Sequence, residues 1–227
     1  MIAFIGLLIF VAAFIYFAVQ GHEAAEAARA ARFASVAPAI GFEERQVAPK
    51  PSVQATKWAQ RGSKLRPIGM ILEGDTFPGM DGDWKGVQCT IWEEVVSNDE
   101  GNTYRTQYRI NAQIQGPPLA IRKKIGLFRQ SAERDDPDSF RTLNIGRDRF
   151  AKLLGVHGTD EQALAEYLTE PMQWAIVGLA NECSRVDISN HGIQVTAGRF
   201  TGDVEQITRR LDQLVLVYNA MHHHIEV

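Results

Sequence analysis

The sequence predicts an α+β protein carried on a membrane helix, and three observations support that prediction. Residues Met1 through Val19 contain no charge and no proline, close to the ~20 apolar residues a helix needs to cross a bilayer. From Tyr104 to Gln115 the chain alternates: Tyr104, Thr106, Tyr108, Ile110, Ala112 and Ile114 against Arg105, Gln107, Arg109, Asn111, Gln113 and Gln115. That period of two marks an antiparallel strand with one wet face. Near the other end, Val204, Ile207, Leu211, Leu214, Val215 and Tyr218 recur at helical spacing and predict a buried stripe.

The apolar run must be helical in lipid, because each backbone N–H and C=O there has to be bonded internally. An uncleaved anchor is preferred to a cleaved signal, since no basic residue precedes the run. Cleavage within residues 1–30 stays open, because small-residue triplets such as Ala25-Glu26-Ala27 follow. Arg29, Arg32, Arg45 and Lys50 all lie after the run, so the positive-inside rule places the rest of the chain in the cytoplasm. The lipid bilayer, met through Ile2–Val19, is the first expected partner.

Residues 20–39 are alanine-rich and predict a helical stalk, with Glu26 and Arg29 spaced to pair. Residues 40–227 are then expected to form one α+β domain, with a candidate subdivision at the charged stretch 130–139. Pro49 and Pro51 mark a linker, and Gln54 to Gly62 suggests a short helix carrying Trp58. A short apolar strand is expected at Ile68 to Glu73. Phe77-Pro78-Gly79-Met80-Asp81-Gly82 has the composition of a turn.

Trp84 to Val96 predicts a strand with Val87, Cys89, Ile91 and Val95 on one face, followed by a loop at Asn98 to Asn102 and the alternating strand described above. Gly116-Pro117-Pro118 ends that pair. Leu119 to Phe128 and Phe140 to Ile145 predict further strands, and Arg147 to Leu154 a short helix. The remainder reads helix, helix, hairpin, helix. Thr159 and Gln162 have capping-box spacing, Thr169 caps a helix from Pro171 to Cys183, and Val186 to Val195 forms a hairpin around Asn190-His191-Gly192. The closing helix begins near Asp203.

Several of these segments together resemble a group of bacterial membrane-anchored proteins of unknown function. They are the alanine-rich stalk ending in Ile40-Gly41-Phe42, the strand head Gly82-Asp83-Trp84-Lys85-Gly86, and Ala163-Leu164-Ala165-Glu166-Tyr167-Leu168-Thr169-Glu170-Pro171-Met172. The resemblance implies a single α+β domain after an N-terminal helix, with no assigned reaction.

The residues offer no sharp catalytic pattern. Asp75, Asp81 and Asp83, with Glu73, cluster near Gly82; oxygen-rich loops bind calcium, but Asp and Gly are also what a tight turn selects, and the turn is preferred. His222, His223 and His224 are consecutive, so they point in different directions and make no ready three-ligand site. His157 and His191 sit beside glycines that suggest turns. Cys89 on an alternating strand reads as a small core hydrophobe, and its pairing with Cys183 is left open. Phosphate-loop, dinucleotide and nucleophile-elbow spacings do not occur.

The basic group Arg122, Lys123, Lys124 and Arg129 reads either as a solvated edge strand or as a lipid- or partner-facing patch. The edge strand is preferred. A formal charge of -3 argues against a polyanionic partner such as nucleic acid. The expected function is therefore that of a non-enzymatic, single-pass membrane protein. Its domain would be a protein-interaction module or accessory subunit, binding a protein partner or itself, with no cofactor. The rivals are a membrane-tethered metal-dependent hydrolase using the Asp75–Asp83 region and an anionic-lipid-binding module.

Overall fold

A computed structural model describes residues 20–21, 24–48, 76–98, 101–123, 141–143, 145–146 and 148–222. Among them no helix is long and apolar enough to cross a membrane. The run Met1–Val19 lies outside the described residues, as do the expected helix at Gln54 to Gly62 and the strand at Ile68 to Glu73.

The alanine-rich segment is helical over residues 24–36 (α1), with Arg29 Nη2 donating to Glu26 Oε1 at 3.4 Å as its spacing implies. Pro38 opens a 3-10 turn, Ala37–Ile40, which Gly41 ends at φ 74, a backbone conformation that favours glycine. The helix does not stand clear of the domain. Phe33, Val36 and Ala37 are buried in the core, and the Phe33 ring stacks on Phe200 with centroids 4.1 Å apart.

Nine strands of the described residues form one sheet: β1 (Glu43–Val47), β2 (Phe77–Trp84), β3 (Val87–Asn98), β4 (Gly101–Ile110), β5 (Leu119–Lys123), β6 (Arg141–Leu143), β7 (Leu154–Gly158), β8 (Arg185–Ser189) and β9 (Gly192–Ala197). Their order is β1-β2-β3-β4-β9-β8-β5-β7-β6, and each pairing is antiparallel. The expected α+β class with an antiparallel sheet is thus observed, and strands from before and after residues 130–139 interleave in that sheet. The helices α2 (Asp148–Leu153), α3 (Glu161–Tyr167), α4 (Glu170–Glu182) and α5 (Val204–His222) complete the fold. From α3 onward the order is helix, helix, hairpin, helix, as the sequence implies.

One face of the sheet carries the core. Cys89 and Ile91 of β3, Tyr108 and Ile110 of β4, Val195 of β9 and Val186 of β8 are aligned by the strand register. They bury against Met172, Ile176 and Leu179 of α4 and Ile207, Leu211 and Leu214 of α5 in a single cluster. Val204 departs from the predicted stripe and is exposed, because it opens the helix before that stripe meets the sheet.

The hairpin β2–β3 turns through Lys85 at φ 54 and Gly86 at φ 83, the two positive values a tight two-residue turn requires. Asp83 Oδ1 accepts the Gly86 N–H at 2.8 Å. Asp212 of α5 ties this end down, accepting from Trp84 Nε1 at 2.8 Å and pairing with Lys85 Nζ at 2.7 Å.

Several expectations are corrected. Residues Phe77 to Gly82 are strand, not turn. Their glycines serve close packing, since a Cβ on Gly79 would meet the Ile91 carbonyl oxygen at 2.4 Å and one on Gly82 the Phe42 ring at 2.6 Å. The loop expected at Asn98 to Asn102 is strand at both ends, with Asn98 paired to Gly101, and β4 stops at Ile110. Strands β1 and β7 carry no strong strand signal in the sequence, and His157 lies in β7 rather than in a turn.

The edge reading of Arg122 and Lys123 also fails, because β5 is flanked by β8 on one side and β7 on the other. The N-cap of α3 is Asp160 rather than Thr159, its carboxylate accepting the Ala163 N–H at 3.0 Å. Thr169 caps α4 by backbone conformation alone, its side chain making no capping bond.

Candidate functional site

The opposite face of the same strands is not the simple wet face that alternation predicts. Gln107, Thr196 and Glu94 are buried there in a hydrogen-bonded layer, with Trp92 buried alongside. Gln107 Nε2 donates to Glu94 Oε1 at 2.6 Å, while Gln107 Oε1 accepts from Thr196 Oγ1 at 2.9 Å and from Gln194 Nε2 at 3.4 Å. Burial raises the Glu94 pKa, opposed by the bond from Gln107 and the charges of Arg105 and Arg185. Buried polar groups satisfied in this way rigidify a surface.

Beside this layer an open groove of about 600 Å³ runs across β1–β4 toward the β8–β9 turn. Its walls bring together Gln88 and Thr90 of β3, Arg109 of β4, Asn111 and Gln113 beyond it, and His191 of the turn, with Trp92 at its base. A second hollow of about 510 Å³ continues past Gln113 and His191 to His222. The ring of His222 packs edge-on against Tyr218 with centroids 4.3 Å apart. The turn between β8 and β9 closes tightly on the sheet: a Cβ on Gly192 would fall 1.9 Å from the Ile110 carbonyl oxygen.

Arg109 is the unusual group of this face. Strand register sets it between Thr90 and Gln194, and its Nη2 donates to the His191 carbonyl at 3.3 Å. Three carboxylates of this face are already engaged. Asp81 pairs with Arg45, Asp187 with Arg185 at 2.6 Å, and Glu94 accepts from Gln107. Among the described residues no carboxylate pairs with Arg109, and burial lowers its pKa without an anion to offset the lost hydration.

The predicted site residues fall in several places. Asp81 and Asp83 share the groove-side face of β2, but Asp81 holds Arg45 and Asp83 closes the hairpin turn; Asp75 lies outside the described residues. No group of three or more His, Cys, Asp or Glu side chains among the described residues converges as metal ligands would. Arg122 and Lys123 alternate across β5, with Arg122 opposite Arg185 and Lys123 Nζ donating to the Asn181 carbonyl at 3.3 Å. Lys124 and Arg129 lie outside the described residues, as do His223 and His224. Cys89 and Cys183 are buried free thiols. Desolvation pushes Cys89 up to about 12, aided by Asp83, and Cys183 up to about 11, which suits core packing and not nucleophilic attack.

Sequence reasoning overlooked Arg109 because it placed the residue among ordinary wet-face positions. The usable signal was an arginine on a strand whose same-face neighbours, Gln107, Asn111 and Gln113, are uncharged.

No protein-family model matches the chain, and no curated protein matches it. Among solved structures it is similar to the mycobacterial trehalose monomycolate transport factor A, TtfA. The TM-score is 0.53 at 14% sequence identity, over 84% of this chain and 93% of that chain. The likeness establishes a shared fold.

Proposed function

We propose that this protein is a membrane-tethered accessory factor, held as a single-pass protein through Ile2–Val19. Its α+β domain would lie on the cytoplasmic side and bind a protein partner within a membrane complex. The observation that carries this reading is the seat of α1, the helix that follows the apolar run in the sequence. That helix is gripped by the core: Phe33 stacks on Phe200, and Arg32 reaches the buried Glu93 carboxylate at 3.4 Å and the Phe200 carbonyl at 3.2 Å. A tether joined to a helix seated in this way would hold the domain beside the bilayer.

The chain whose fold it shares is described as a transport factor. A surface for a partner is offered by Trp174 and Leu216, large apolar side chains exposed at 55% and 52%. Trp174 lies beneath the Arg149 guanidinium, 5.6 Å from its ring centroid, and aromatic and arginine side chains are the usual anchors of interfaces.

Carbonate washing and gentle solubilisation test the reading. The full chain should stay with the membrane after washing and co-purify with a stoichiometric companion, and Trp174→Ala should deplete that companion. Release by carbonate would overturn the tether, and a clean monomer in neutral detergent would overturn the partner.

A further inference from the structure

The geometry points to the groove around Arg109 as a binding site for a hydroxyl-bearing oxyanion, a phosphate or carboxylate on a small polyol such as a glycerol unit. Arg109 supplies the charge. Its guanidinium is partly withdrawn from water, and among the described residues its partner is a backbone carbonyl at 3.3 Å, which leaves donors available for a bidentate oxyanion contact. Two other arginines of this face are already paired, Arg45 with Asp81 and Arg185 with Asp187, and Arg105 lies near the buried Glu94 carboxyl. An anion entering the groove therefore meets Arg109, which pairs with no carboxylate among the described residues.

Specificity for hydroxyls follows from the remaining lining. Gln88, Asn111, Gln113 and Asn190 present planar amides, each able both to donate and to accept. Asn111 is held in place by donating through Nδ2 to Thr90 Oγ1 at 2.7 Å, while Trp92 forms an apolar floor whose Nε1–H has no partner among the described residues. The adjoining buried network of Gln107, Glu94 and Thr196 keeps β3, β4 and β9 in register, so the groove is preorganised. An apolar ligand would strand these polar groups, and a cation would meet Arg109.

The site stands independently of how the chain is anchored. Its anion has two natural sources, a free metabolite and the headgroup of an acidic phospholipid, and one titration separates them. The purified full chain in phosphatidylcholine nanodiscs is titrated calorimetrically with glycerol 3-phosphate. Saturable one-site binding is expected, weakened at least about tenfold by Arg109→Gln and unaffected by Arg209→Gln, which removes a cation on the helix side.

Thr90→Glu is the sharper variant, because Thr90 faces Arg109 across the strand pair. It supplies an internal carboxylate that should abolish binding while leaving the melting temperature equal or higher. Repeating the titration in nanodiscs containing phosphatidylglycerol assigns the source. Competition identifies the lipid headgroup, and an unchanged affinity identifies a free ligand. The proposal is overturned if glycerol 3-phosphate shows no saturable binding, or if Arg109→Gln and a folded Thr90→Glu both bind as the parent does.

Discussion

On one face of β3 and β4, Cys89, Ile91, Tyr108 and Ile110 are buried among apolar helix side chains. On the opposite face of the same strands, Gln107 joins Glu94 and Thr196 in a hydrogen-bonded layer, and Thr90, Trp92 and Arg109 line the groove beside it. The two sets are offset by a single residue, so the strand period alone separates them. The helix-covered face contributes stability through removal of apolar area from water. The groove face is held by directional bonds and keeps Arg109 without a paired carboxylate among the described residues. Polar surface kept in such a state is where binding is to be sought.

The comparison breaks most directly at the junction of α1 with the core. Phe33→Ala should cost about 3–5 kcal/mol in urea unfolding, the usual range for a buried aromatic, if α1 belongs to the helix-covered layer. A loss near zero would return the helix to the role of a free stalk.

Next in size is the polar intruder on that same face. Glu93 is fully buried and accepts the Phe200 N–H at 2.8 Å. Glu93→Ala should cost about 3 kcal/mol, because both the amide and Arg32 lose a charged acceptor. On the groove face Gln107→Leu should cost about 2 kcal/mol by stranding Glu94 and Thr196. Equal tolerance of Gln107→Leu and a surface substitution would show that the polar layer holds nothing together.

Alkaline titration distinguishes the faces again. Both thiols belong to the helix-side core, and their folded pKa values of about 12 and about 11 lie above the ordinary 9.0. The neutral thiol is therefore favoured by folding. That stability is intact below pH 9.0 and is lost as pH rises toward the folded values, by on the order of 1 kcal/mol per thiol between pH 9 and 10. Cys89→Ala combined with Cys183→Ala should flatten this slope in pH-dependent melting.

A smaller effect is expected where the hairpin meets α5. Trp84→Phe removes the bond to Asp212 and should cost ~0.5–1 kcal/mol, read as a shift in the urea midpoint. Least of all, Arg109→Gln should leave the melting temperature unchanged or raise it slightly, since it removes a poorly hydrated charge that no carboxylate balances. A clear destabilisation would mean that Arg109 supports the fold.

Much of the helix-rich half was legible because its signals are local. Pro171 in the first turn of α4, the spacing of Ile207, Leu211 and Leu214, and the hairpin around Asn190-His191 each act within a few residues. The strands β1 and β2 were not legible for the opposite reason. Pro78, Gly79 and Gly82 look like turn residues until Ile91 and Phe42 are seen pressing on the glycines. Likewise Arg122 and Lys123 suggest an edge, although β8 and β7 enclose them; they come from sequence positions 31 or more residues away.

By itself the sequence determined the fold class, the alternation that splits the sheet into two faces, and the weakly acidic character of the chain, since composition and period depend only on neighbours along the backbone. Tertiary structure alone decided which strands lie at the centre, how α1 is locked into the core, and that Arg109 stands without a carboxylate. Those properties depend on which distant side chains arrive beside each residue, and local periodicity carries no information about that meeting.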